Sequence, residues 1–163
     1  GEVDGIRPDG FDFGNSPFEL SRADVCGKTL IQSTRAGTVG AVAARTADNL
    51  YAAAFVTAAA TADAISSLTP DVVTIVPLGV EATIRSDEDE QCGLYIRNLL
   101  GGRTPDGLSV CRLVLAGAES QKYDDLQQPQ FNPRDRAMAL EIDAFPFAVK
   151  LGHEDGFVVA RKV

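Results

Sequence analysis

Apolar positions along this chain fall into three short runs, and each is followed by a stretch with apolar residues at helical spacing. Residues 28–32 form the first run, with Gly27 at its start; 50–56 the second; and 72–78 the third, β-branched and bounded by Pro70-Asp71 and Gly79. The helical stretches carry Val39, Val42, Ala43 and Thr46, then the alanine-rich 57–68 closed by Thr69-Pro70, then Cys92, Tyr95, Ile96, Leu99 and Leu100. Three strand–helix units in succession predict an α/β fold, a three-layer α/β/α arrangement around a mainly parallel, mixed sheet. Ligands then gather at the carboxyl ends of the strands.

Local signals set the remaining boundaries. Residues 1–14 are rich in glycine, proline and aspartate and read as loop. Ser16-Pro17-Phe18-Glu19 has the capping-box pattern, so a helix begins at Pro17 and ends before Gly27. Ser86 caps a helix whose first turn is Asp87-Glu88-Asp89-Glu90, after a loop over 80–85. Leu108, Cys111, Val114, Leu115 and Ala118 mark another helix, and 119–131 is polar and exposed. Asn132-Pro133 repeats the cap-then-proline signature and predicts a helix to about Ala144. Residues 145–151 fit a helix extension or a strand, and 156–162 read as a closing strand. Without repeats, heptads or low-complexity tracts, 1–163 reads as one domain.

Composition removes several function classes. The 163 residues are 45% hydrophobic with a net charge of -8, so a nucleic acid or anionic membrane would need a local basic patch, and no basic run exists. No apolar run approaches the ~20 residues that span a bilayer. Cys26, Cys92 and Cys111 lie far apart without a Cys-x-x-Cys pair, which fits a reducing cytoplasm. One histidine, His153, excludes histidine-rich zinc sites, and no Gly-x-Ser-x-Gly elbow supports a serine triad. Neither a P-loop nor a Gly-x-Gly-x-x-Gly fingerprint occurs.

What remains is chemistry on oxygen ligands. The turn Ser33-Thr34-Arg35-Ala36-Gly37-Thr38 leads from a strand pattern into a helix with Thr38 as its N-cap, and such a turn gathers unpaired N–H groups attractive to an anion. It is a candidate phosphate cradle, or an ordinary capped βα turn. The four acids at 87–90 suit a helix dipole, or supply carboxylates for Mg²⁺ beside a strand end. Together with Glu2, Asp12, Asn15, Ser16, Glu81 and Arg35, these groups match phosphoryl hydrolysis assisted by Mg²⁺.

Gly10-Phe-Asp-Phe-Gly-Asn-Ser-Pro17, followed by Gly27-Lys-Thr-Leu-Ile-Gln-Ser-Thr-Arg-Ala-Gly-Thr38, resembles the 2-phosphosulfolactate phosphatase (ComB) family. Gly1-Glu2 is similar to the end of a family glycine-glutamate motif, and Ser86 to Cys92 resembles its Ser-Leu-Glu-Asp-x-x-Cys segment. Arg35-Ala36 stands where the family has asparagine, and the family's N-terminal third has no counterpart here, so 1–163 corresponds to the C-terminal two-thirds of a longer family chain. The resemblance implies a cytoplasmic α/β enzyme that hydrolyses a small phosphorylated acid with Mg²⁺, the namesake reaction belonging to coenzyme M biosynthesis.

The resemblance places Asp12, Asn15, Ser16, Thr34, Gly37, Thr38, Glu88 and Asp89 in the site, and the roles follow from the chemistry of the residues: Asp12, Glu88 and Asp89 are expected to be catalytic. Asn15, Ser16, Ser33, Thr34, Arg35, Gly37 and Thr38 are expected to bind substrate, and Glu2, Asp12 and Glu88 to bind the metal. The alternative is a non-catalytic anion-binding or subunit-forming domain that keeps the cradle. A bare sheet edge would favour a homodimer.

Overall fold

The computed structural model describes residues 1–163 and contains seven α-helices, two 3₁₀ turns and three strands. The helices are α1 Pro17–Ser21, α2 Gly37–Ala43, α3 Ala58–Ser66, α4 Asp87–Leu100, α5 Gly107–Ala116, α6 Ala118–Gln121 and α7 Pro133–Ala139. The strands are β1 Leu50–Ala52, β2 Val149–Glu154 and β3 Phe157–Lys162. They form one antiparallel sheet in the order β1-β2-β3.

This overturns the expected three-layer, mainly parallel sheet. The two runs at 28–32 and 72–78 carry strand-like composition, but neither belongs to a strand. Between Thr29 and Gln32, and between Pro70 and Leu78, no backbone group bonds to another backbone group. Apolar alternation records a preference for burial, whereas a strand also needs a partner for its N–H and C=O groups. The third run packs instead as an extended strip between two helices. Leu78 lies where a Cβ on Gly40 of α2 would meet it, and Ile75 and Pro77 lie over Gly93 of α4.

The sheet that does form combines a local β2–β3 hairpin with a distant partner, β1, which sets Leu50 opposite Leu151. β2 and β3 flank Asp155-Gly156, with Glu154 opposite Phe157 and both turn residues at positive φ, 51° and 84°. Such a two-residue turn matches the right-handed twist of its strands. The Asp-Gly pair is visible in the sequence, and the hairpin it closes makes 149–154 a strand, resolving the ambiguity at 145–151. α1 and α7 begin where their caps predict: Ser16 Oγ accepts the Glu19 N–H at 3.0 Å, and Asn132 Oδ1 accepts from Arg134 N–H at 3.0 Å. Several end early. α1 stops at Ser21 and α7 at Ala139, because neither continues over a partner that would bury another turn.

The core joins α3, α4 and α5. Phe55, Ala58, Tyr95, Ile96 and Val114 are buried together, and Phe55 meets Tyr95 edge to face at 6.0 Å. Ala58 and Thr61, both fully buried, let α3 approach α4 closely. Asp143 closes this unit from the far side: its N–H donates to the Phe55 carbonyl at 3.0 Å, and its Oδ1 accepts from Ala59 N–H at 2.7 Å. Accessible surface totals 10932 Å², against about 7,800 Å² for a compact chain of this mass. Large apolar residues stay exposed along much of the chain, among them Ile31 at 89% and Val72 at 79% in the unpaired runs and Leu126 at 97% outside them. None of the helices is long and apolar enough to cross a membrane.

Stability should therefore depend on the helical core and not on the extended runs. In urea unfolding, Phe55→Ala is expected to lose about 3–5 kcal/mol, and Ile31→Ser less than about 0.5 kcal/mol. Comparable losses would contradict this placement of the core.

Candidate functional site

The hydroxyl-rich turn is closed by its own side chains. Thr34 N–H donates to Thr38 Oγ1 at 3.0 Å, Thr38 N–H donates to Thr34 Oγ1 at 3.2 Å, and Thr38 Oγ1 donates back to the Thr34 carbonyl at 2.8 Å. Thr38 therefore sits inside the first turn of α2, not at its N-cap, a position taken by Ala36. The turn is also tied to the start of the chain, where Glu2 N–H donates to the Ser33 carbonyl at 3.3 Å.

Arg35 connects this turn to two others. Its Nη2 donates to Asp4 Oδ1 at 2.8 Å, and its Nη1 pairs with Glu81. Asp4 and Glu81 each hold a left-handed backbone, with φ of 55° and 54°, inside short loops closed by the bridges Val3–Ile6 and Val80–Ile84. These carboxylates are well exposed, at 73% and 49%, so each ion pair contributes little, on the order of 0–1 kcal/mol.

The loop bearing Glu81 is anchored to α4. Gly79 N–H donates to Asp89 Oδ2 at 2.7 Å. Gly79 itself is required: its φ is +66°, and a Cβ there would lie 1.9 Å from the Ile84 carbonyl oxygen. A recess of about 150 Å³ opens between this loop and α4, lined by Leu78, Gly79, Thr83, Ser86 and Glu90 among others. Glu90 is paired with Arg85, whose hydrogen bonding holds its carboxyl below the usual range. Ser86 is 2% exposed and stands at the N-cap position of α4, yet its hydroxyl makes no capping bond.

Orphaned polar atoms gather in this region. Four buried side-chain polar atoms lack a hydrogen-bond partner, and three of them, Arg35 Nε, Ser86 Oγ and Glu88 Oε2, belong to the turn and the start of α4. Buried groups of this kind ordinarily find partners, so each of the three is open to a bond from water or a ligand. Thr61 Oγ1, the fourth, lies in the α3 core.

Sequence reasoning missed the basic side of the site. Lys122 follows α6, donates to Glu119 Oε2 at 2.8 Å and lies 4.8 Å from the centre of the Phe131 ring. Burial pulls its pKa down, but the bond to Glu119 and nearby negative charge, Glu88 included, outweigh this and leave it raised. Tyr123 stacks edge to face on Phe131 at 5.7 Å, and burial pushes its hydroxyl pKa up. Phe131 in turn backs Gly5. Residues 119–131 look polar in sequence, and only their aromatic spacing hints at a packed segment.

The expected site residues are brought together in part. Glu2, Ser33, Thr34, Arg35, Gly37 and Thr38 share the turn region, and Asp89 is linked to it through Gly79 and the loop bearing Glu81, whereas Glu88, one residue before it on α4, makes no hydrogen bond to the turn. Asp12 and Asn15 are exposed and their side chains make no hydrogen bonds, although the Asp12 carbonyl accepts from Arg7 at 3.0 Å. Ser16 is engaged between elements: besides capping α1, its hydroxyl donates to the buried Asp135 at 2.6 Å, and Asp135 also accepts from Phe18 N–H.

The three expected metal ligands do not converge. No group of three or more His, Cys, Asp or Glu side chains is positioned to hold an ion, and one oxygen of Glu2 already accepts from Gly5 N–H at 3.0 Å. Mg²⁺, however, needs only one or two carboxylates when substrate phosphate and water complete its shell. Glu88, with Oε2 buried and unpaired, is the carboxylate that fits such a role.

A hydroxyl turn with a guanidinium, next to a helix start with an unpaired carboxylate, is the equipment of a protein that handles phosphate esters. The family comparison agrees. The model of the 2-phosphosulpholactate phosphatase family matches residues 1–143, and the chain belongs to that family. A probable 2-phosphosulfolactate phosphatase of Thermus thermophilus is 36% identical over 164 residues, which is 99% of this chain and 69% of the relative. One of Bacillus subtilis is 29% identical over 161 residues, covering 97% of this chain and 68% of the relative. No solved structure matches the chain.

Burial, then the nearby Asp89 charge, pushes the Cys92 thiol up to about 12, so it stays protonated and unreactive at pH 8. Mass spectrometry after thiol alkylation should find exposed Cys26 modified first and Cys92 only on unfolding; early Cys92 modification would contradict its placement. Ser16→Ala is expected to lower stability by about 1–2 kcal/mol through lost capping and the loss of one of the two hydrogen bonds to the buried Asp135. A loss of activity with unchanged stability would instead put Ser16 in contact with substrate.

Proposed function

We propose that this chain carries a Mg²⁺-dependent phosphatase site acting on a small phosphorylated acid, 2-phosphosulfolactate or a related phosphorylated hydroxy acid. The observation that carries the reading is the concentration of orphaned buried polar atoms at the turn and the start of α4, in a chain of a phosphatase family. Bound Mg²⁺ would supply Lewis-acid polarisation of the phosphate oxygens, with Glu88 as its protein ligand.

The chain's own groups account for the rest. Thr34 and Thr38 preset the turn through their mutual hydrogen bonds, and Arg35, held between Asp4 and Glu81, brings a guanidinium to the same turn for an anion to pair with. Ser86 Oγ, buried and without a bond, has a proton to donate to a phosphate oxygen. Lys122, paired with Glu119, adds positive charge close enough to Glu88 for the two to feel each other. Asp89 positions the loop at 79–84 through Gly79 and is a positioning residue in this scheme. Asp12 is exposed and its side chain makes no hydrogen bond, so it has no part in this scheme.

Phosphate release from 2-phosphosulfolactate should require Mg²⁺, and Glu88→Gln should raise the Mg²⁺ concentration for half-maximal rate by about 10–100-fold. Full activity of that variant at unchanged Mg²⁺ demand would remove Glu88 from the metal. Phosphate binding without turnover at any Mg²⁺ concentration would instead favour a non-catalytic anion-binding domain.

A further inference from the structure

We infer that Arg35 determines substrate specificity by exchanging Asp4 and Glu81 for the second acidic group of the substrate, a carboxylate or sulfonate beside the phosphate ester. This rests on the phosphatase reading of the site. The guanidinium is gripped by two carboxylates from two separate loops, through Nη2 to Asp4 and Nη1 to Glu81, while its Nε is buried and bonds to nothing. A planar fork with an unsatisfied donor is matched to a planar or tripodal acid that accepts from two nitrogens at once.

The present partners are poorly suited to be permanent. Asp4 is mostly exposed and Glu81 about half exposed, and both sit on left-handed, non-glycine backbone, with Ala82 beside Glu81 at φ 56° as well. Such backbone persists only while neighbouring contacts fix it. An incoming acid would take over Arg35 and release Asp4 and Glu81 to water at little cost. The two carboxylates thereby set a threshold: a phosphate ester without a second acidic group gains nothing from displacing them, whereas one that carries it does. Arg35 also stands in the same turn as Thr34 and Thr38, so an acid held there lies next to the phosphate-binding groups.

The test compares phosphate release from 2-phosphosulfolactate and from phenyl phosphate, which lacks the second acid, for the full chain, for Arg35→Gln and for the double variant Asp4→Asn/Glu81→Gln. Arg35→Gln should raise KM for phosphosulfolactate at least tenfold and for phenyl phosphate far less. The double variant should lower KM for phosphosulfolactate severalfold, the opposite direction. If both variants raise KM, or both esters respond equally, the exchange is overturned and the ion pairs are structural. If the unaltered chain cleaves neither ester, the phosphatase reading fails, and calorimetric titration with sulfolactate decides the exchange by itself. Tighter binding by the double variant and lost binding by Arg35→Gln support it; equal binding by all three overturns it. Thermal unfolding within a few degrees for each variant shows that folding is not the variable.

Discussion

The hydrogen bond from Gly79 N–H to Asp89 Oδ2 is the contact on which the site depends. It fastens the end of the extended strip at 72–78 to the first turn of α4. The loop so anchored carries Glu81 to Arg35, and the helix start it is fastened to carries Glu88 and the buried Ser86. A charged acceptor makes this bond stronger than a neutral one, and the left-handed Gly79, pressed against the Ile84 carbonyl, leaves no room for another residue. The acids of α4 thus divide their work. Asp89 holds a loop, Glu90 pairs with Arg85, and Glu88 keeps an oxygen without a partner.

Two parts of the molecule have different energetic character. The α3–α4–α5 unit is held by burial of Phe55, Ala58, Tyr95, Ile96 and Val114, an interaction that does not depend on salt or protonation. The site above it is held by exposed ion pairs, small hydrogen-bonded turns and left-handed residues. Loosely satisfied elements on a firm support are what a ligand-binding region requires, because its groups must trade partners without unfolding the core.

Much of the chain is legible in its sequence, and the reasons are local. Ser16-Pro17 and Asn132-Pro133 announce helices because capping and proline chemistry act within one turn. The apolar spacing from Cys92 to Leu100 fixes α4 because its inward face follows from 3.6-residue periodicity. The hydroxyl turn and Glu88 also stand out in the sequence as chemistry. The sheet is not legible: residues 28–32 and 72–78 have strand composition, but pairing depends on a partner elsewhere, which no local pattern encodes. For the same reason Lys122, Tyr123 and Asp4 escape a reading of the sequence. Their part in the site comes from loops meeting in space, and nothing in their immediate neighbours marks them.

The central claim is that the turn at 33–38 and the start of α4 form one anion-binding place. Mapping backbone amide shifts by nuclear magnetic resonance while inorganic phosphate is added, with and without Mg²⁺, tests it most directly. The account predicts saturable shifts confined to Ser33–Thr38 and Ser86–Asp89, with those at Glu88 strengthened by Mg²⁺. Shifts centred instead on the recess beside Phe18 and Asp135, between α1 and α7, would contradict it.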